Sequence, residues 1–115
     1  MSATSLLQLS QSRQVLVRLC QSVNFGQIHD LSVQDGEPVW QCPAPAVLVD
    51  VRLDVEAQPR DEISTADFAL SAEILRLMAL LDKIVNGKVT KIEVRAGLPR
   101  RATFDGRHAA RDRAT

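Results

Sequence analysis

The chain has 115 residues with 14 basic and 14 acidic side chains, and nonpolar residue types make up 45% of it. That nonpolar fraction excludes a globally disordered chain, and the length fits one domain with a modest core. One Trp, three Phe and no Tyr argue against a surface of exposed rings that would stack on single-stranded nucleic acid.

The charges are unevenly distributed along the chain. Residues 1–86 carry six basic and eleven acidic side chains, whereas residues 87–115 carry eight basic and three acidic ones. We interpret residues 1–104 as one α+β domain and residues 105–115 as a disordered basic tail. No signal peptide, no membrane span and no cysteine framework is recognisable, so we expect a cytoplasmic protein with reduced thiols.

The first predicted element is a helix from Ser5 to Val23. Ser5 and Gln8 have the spacing of a capping box. Gly26 follows the helix, where a left-handed residue would end it. The helix has one apolar stripe, formed by Leu6, Leu9, Leu16, Leu19, Cys20 and Val23.

A hairpin is predicted next, because Asp35-Gly36 between two apolar residues is a strong turn signal. Leu31 and Val33 alternate as in a half-buried strand, but Ile28 is out of phase with them. This pattern indicates either a β-bulge or a strand that begins after Ile28.

An extra central strand is predicted between the two helices. Five apolar residues alternate with charged ones there, as in a strand with one buried and one solvated side. The solvated side would carry Asp50, Arg52 and Asp54. The apolar side would consist of Val47, Val49, Val51, Leu53 and Val55.

The second predicted helix begins at the N-cap Ser64, with Asp67 in its first turn and Ile63 paired with Phe68, and it ends near Val85. It is apolar over more than one face, which predicts burial on several sides. We therefore expect an oligomer contact on this helix. Its candidate residues are Phe68, Leu75, Met78 and Leu81.

The segment from Gly87 to Pro99 repeats the segment from Gly26 to Pro38 at an offset of 61 residues. Both read G-x-(I/V)-x-x-(L/I)-x-V-x-x-G-x-P. We interpret residues of about 12–40 and 73–104 as a duplicated helix–hairpin unit, with Ala96-Gly97 suited to a type II turn. The predicted fold places both helices on one face of a mostly antiparallel sheet.

No catalytic, metal-binding or cofactor-binding constellation is recognisable. Cys20, Cys42, His29 and His108 lack the spacing of metal ligands. Cys20 beside His29 and Asp30 is a conceivable triad, but a cysteine on the apolar side of a helix is desolvated, which suppresses its thiolate. We expect no enzyme activity and no cofactor.

The segment VNFGQIHDLSVQDGEPV, from Val23 to Val39, resembles the small uncharacterised bacterial proteins of the YezD-like kind. In those proteins a short helix leads into an aromatic–glycine pair and then a V-x-D-G hairpin. The second copy departs from this pattern, with Asn86 in place of the aromatic residue and Ala96 in place of the aspartate. The family implies no catalytic residues.

Two functions follow from these features. The first is a non-enzymatic interaction or assembly module, a homodimer held together by the second helix. The second is a nucleic-acid-associated regulator that uses the basic C-terminal segment in salt-sensitive phosphate contacts. Its candidate residues are Arg95, Arg100, Arg101 and Arg107.

Overall fold

The computed structural model describes residues 3–54 and 66–104. It confirms the α+β class, with two helices and a five-stranded antiparallel sheet. The elements are α1 (Gln11–Val23), β1 (Gly26–Gln34), β2 (Glu37–Val39), β3 (Ala46–Val49), α2 (Ala72–Ile84), β4 (Gly87–Arg95) and β5 (Leu98–Phe104).

Strands β1 and β4 form the centre of the sheet. β5 pairs with the free side of β4, while β2 and β3 share the free side of β1. β2 lies along the C-terminal part of β1 and β3 along its N-terminal part. Apolar side chains of both helices form one buried cluster with those of β1 and β4, so both helices cover the same face of the sheet.

The pairing of β1 with β4 is unchanged when the two units are exchanged. Gly26 lies opposite Val94, and Val33 lies opposite Gly87. The 61-residue offset converts each of these pairs into the other. The sheet centre therefore has the arrangement that two equivalent units would give, while the duplication remains our interpretation of the sequence.

The predicted bulges are present in both central strands. Ile28, Leu31 and Val33 are all buried on the helix side, which requires one additional residue between Ile28 and Leu31. Asp30 has a positive φ of 58° at this point. In β4 the pairing with β5 shifts between Val89 and Lys91, at the equivalent place.

The prediction that Gly26 ends the first helix is wrong, because Gly26 begins a strand, as does its counterpart Gly87 after the second helix. The chain turns two residues earlier, at Asn24 and Val85, which share a positive φ of 62°. In each case the next amide donates to the carbonyl before the turning residue at 2.7 Å, which is a γ-turn. Gly26 is needed for another reason: a Cβ there would lie 2.0 Å from the backbone oxygen of Leu48.

The two hairpin turns have the same conformation, so the type II prediction for Ala96-Gly97 is wrong. Asp35 and Gly36 have φ values of 53° and 76°, and Ala96 and Gly97 have 54° and 77°. Two successive positive values are typical of a type I′ turn, which matches the twist of the strands. Alanine thus occupies a position that favours Gly or Asn.

Both helices begin later than predicted. A short 3₁₀ helix (Leu6–Gln8) precedes α1, whose N-cap is Ser10. Helix α2 begins after Ser71, and the predicted start at Ile63 and Ser64 lies outside the described residues.

The physical reason for the late start of α2 is a contact with the N-terminal segment. The Leu6 amide donates to the Phe68 carbonyl at 3.0 Å, and the Leu70 amide donates to the Thr4 carbonyl at 2.9 Å. The Asp67 carboxylate accepts from the Leu7 amide at 3.0 Å. These bonds hold the chain extended where the sequence pattern predicted a first helical turn.

The extra strand differs from its prediction in place and in burial. β3 has four residues, lies at the edge of the sheet rather than in its centre, and exposes all four side chains. The helices lie over the sheet centre, and in the described part of the chain no element covers β3. Val55 and residues 105–115 lie outside the described residues.

Candidate interaction surfaces

The candidate interface on α2 is largely occupied by the protein's own core. Met78 and Leu81 are 5% and 0% exposed and belong to the central apolar cluster. Their assignment to an oligomer interface is therefore wrong, since their contact area is already used within the chain. Phe68 is half-buried and packs under the guanidinium of Arg18, and Leu75 remains exposed.

The arginines proposed for phosphate contacts do not form one patch of unpaired positive charge. Arg100 forms an ion pair with Glu73 at 3.0 Å, and Arg101 forms one with Glu93 at 3.5 Å. Arg95 is exposed on β4. Arg107 lies outside the described residues. Because two of these guanidiniums have carboxylate partners, their attraction for phosphate is reduced.

A cleft of about 620 Å³ lies between α1, β2 and α2. Arg13 projects into it from α1 and donates to the Gly36 carbonyl at 2.8 Å. The same guanidinium forms ion pairs with Asp82 and Glu37. Two carboxylates thus compensate one cation, so the cleft offers no free positive charge, and Arg13 connects α1 to the first hairpin and to α2.

The cysteines and histidine do not converge on a reactive centre. Cys20 is buried as expected, and desolvation raises the pKa of its thiol to about 12. Cys42 is exposed. The His29 ring shares a 2.7 Å hydrogen bond with the Gln27 side chain. In the described ranges, His, Cys, Asp and Glu form no group that could hold a metal ion.

Among the described residues, exposed large apolar side chains are concentrated at β3 and the residues that follow it. Leu48 and Val49 are 55% and 53% exposed, Val51 is 62% exposed and Leu53 is 95% exposed. Phe25, whose carbonyl accepts from the Asp50 amide, is 47% exposed beside them. We call residues 46–54 together with Phe25 the β3 edge. Exposed apolar strands of this kind are typical of interaction sites.

The backbone of the β3 edge is oriented for pairing. The Asp50 amide donates to the Phe25 carbonyl at 2.7 Å, so the backbone groups of Asp50 point toward β1. Because these groups alternate along a strand, the N–H and C=O of Val49 point away from β1, and a continuation of the strand would orient those of Val51 in the same way. Within residues 3–54 and 66–104, no strand pairs with this outer side.

Sequence reasoning found the residues of the β3 edge but misjudged their environment. The alternation from Val47 to Leu53 predicted a strand with one buried side, whereas the structure has a strand only at Ala46–Val49 and exposes both of its sides. The periodicity shows that one side of the strand is apolar, but it does not identify the surface that covers that side. Within residues 3–54 and 66–104, no element covers this apolar side.

No helix in the described part of the chain is long and apolar enough to cross a membrane. Comparisons with protein-family models, with curated proteins and with solved structures find no match to this chain. The resemblance to the YezD-like proteins therefore stays a prediction from the hairpin segment.

Proposed function

We propose that this chain is a non-enzymatic homo-oligomeric assembly module of the cytoplasm that self-associates through the β3 edge. The observation that carries the proposal is the exposed apolar side of that edge, where Val49, Val51 and Leu53 lie next to unpaired strand backbone. An edge without covering elements, lysine or proline within the strand is a template for adding another strand. Burial raises the pKa of the Cys20 thiol, so this group is unsuited to nucleophilic attack, which supports a non-enzymatic role.

The test is sedimentation velocity over a concentration series from low to high micromolar. We expect the wild-type chain to shift from monomer toward dimer, because burying the apolar edge lowers its free energy. Val49→Lys places a charge in the contact and is expected to keep the chain monomeric. Val15→Lys is the matched control, since Val15 is an exposed valine on α1, away from the edge. A wild-type chain that stays monomeric throughout contradicts the proposal.

A second candidate is a nucleic-acid-associated regulator, supported by the exposed cations Lys88 and Arg95 of β4. Its support is weaker because Lys88 has Asp30 within 3.9 Å and Arg101 is paired with Glu93. A binding titration at several salt concentrations, before and after truncation at residue 106, tests it. The absence of salt-dependent binding in both forms rejects it.

A further inference from the structure

We infer that the occupant of the β3 edge is the same edge of a second copy, paired antiparallel about a two-fold axis at Val51. This inference rests on the proposed function and specifies its geometry. A two-fold contact uses one surface twice, so that surface must be complementary to itself. The residues that meet this requirement are Asp50 and Arg52.

The alternation of side chains continues beyond the four residues of β3. In the sequence, Val51 and Leu53 continue the apolar positions of Val49, and Asp50 and Arg52 continue the positions of Leu48, while the monomer bends at residues 53 and 54. The pairing with β1 ends at Val49, apart from one further bond from the Asp50 amide to Phe25. Pairing with a second copy would supply a partner for this outer side and straighten the bend at residues 53 and 54, so that the strand extends through residue 54.

Opposite residues of an antiparallel pair lie on the same side of the sheet. With Val51 on the axis, Val49 lies opposite Leu53 of the second copy, and the apolar sides are continuous. Asp50 then lies opposite Arg52 of the second copy, and by symmetry the same pair forms again. The dimer would thus contain two pairs of opposite charges and one uninterrupted apolar ladder.

Neighbouring registers lack this complementarity. An axis at Asp50 opposes that carboxylate to its own copy, and an axis at Arg52 opposes two guanidiniums. An axis at Val49 opposes Asp50 to Leu48, which gives the charge no partner. A shift by one residue opposes valines to charges and exchanges the two faces of the strand. An axis at Leu53 opposes Arg52 to Asp54 but also opposes Asp50 to Glu56, which are two carboxylates. Charge complementarity therefore selects Val51.

The backbone orientation agrees with this register. When the strand continues past Val49, the N–H and C=O of Val51 point outward, which makes Val51 a hydrogen-bonded pair at the axis. Asp50 and Arg52 then occupy a non-hydrogen-bonded pair, where the Cα atoms approach to about 4.5 Å and side chains are closest. Arg52 already extends beside Asp54, with its Nη2 at 2.7 Å from the carboxylate, so its guanidinium is held on that side of the strand.

The test is a charge exchange, read out as the dimer dissociation constant by sedimentation equilibrium. Asp50→Arg and Arg52→Asp each oppose two like-charged pairs, and each is expected to weaken the dimer by roughly 10- to 100-fold. The double variant D50R/R52D recreates both opposite pairs and is expected to return to within about threefold of the wild type. An equimolar mixture of the two single variants should form a heterodimer. Arg76→Asp, a charge reversal at an exposed position of α2 away from the edge, is the matched control and should change little.

The outcomes separate the register from the function. A wild-type dimer that is unaffected by Asp50→Arg and Arg52→Asp overturns the register but leaves self-association standing. Weakening of both single variants without recovery in the double variant or the mixture also overturns the register. A monomeric wild type, including one whose edge is covered by residues 55–65 or 105–115 of its own chain, overturns the proposed function and this inference together.

Discussion

The buried thiol of Cys20 makes a quantitative prediction about stability in alkaline solution. Cys20 lies on the buried side of α1, and desolvation raises its pKa from 9.0 to about 12. Between these values the unfolded chain releases the thiol proton and the folded chain keeps it. The stability contributed by the thiol is therefore complete below pH 9 and is lost as the pH rises toward 12.

The size of the effect follows from proton linkage. A difference of one bound proton lowers the free energy of unfolding by about 1.4 kcal/mol per pH unit. Between pH 9 and pH 11 the thiol should therefore remove about 2 kcal/mol. Contributions from other groups are common to variants that differ only at the cysteine, so they cancel in the comparison.

The assay is urea denaturation at several values from pH 8 to pH 11, for wild type, Cys20→Ala and Cys42→Ala. Cys20→Ala should be less stable than the wild type at pH 8, because it leaves a small cavity. The difference should shrink or reverse by pH 11. Cys42→Ala, at an exposed cysteine, is the control and should follow the wild type. A constant difference between Cys20→Ala and wild type over this range would refute the reasoning.

Three further predictions concern turns and contacts and are read out by chemical or thermal denaturation. Ala96→Asn should raise the free energy of unfolding by about 0.5–1 kcal/mol, because Asn tolerates the positive φ better than Ala; a loss of stability would contradict the type I′ turn. Arg13→Met should lower it by about 1–3 kcal/mol through loss of the bond to Gly36 and the two ion pairs; a change below about 0.5 kcal/mol would show that these contacts are unimportant. Gly26→Ala should cost about 1–3 kcal/mol and detach β3, because the new Cβ meets the Leu48 carbonyl; faster amide exchange confined to β3 and β1 is the expected signature, and unchanged exchange would contradict it.

The fold class was predictable because local signals agreed with one another. Asp35-Gly36 and Ala96-Gly97 mark the turns, and the phase slip at Ile28 indicated a bulge that the structure contains. These features depend on residues close in sequence. They can be predicted without knowing which distant residues pack against them.

The predictions that depended on distant contacts were wrong. The start of α2 is set by bonds from Leu6 and Leu7 to residues 67 and 68, which lie about sixty positions away in the chain. Met78 looked available to a partner because a one-dimensional pattern shows that a side is apolar but not what covers it. The residue that ends the helix was wrongly predicted for a different reason. Val85 ends α2 in a turn conformation that β-branched residues rarely adopt, so the sequence pattern did not indicate it.

The same limitation applies to the β3 edge, where residues that were predicted to be buried are exposed. Its alternation predicted burial, and the structure places it at the sheet edge with its apolar side exposed. Both observations agree if the cover comes from a second copy.

The most direct measurement is residue-resolved amide hydrogen exchange at two protein concentrations. We predict that the Val49 and Val51 amides are protected at high concentration and exchange freely on dilution, while β4 amides do not change. Equal exchange of Val49 and Val51 at both concentrations would contradict self-association through this edge.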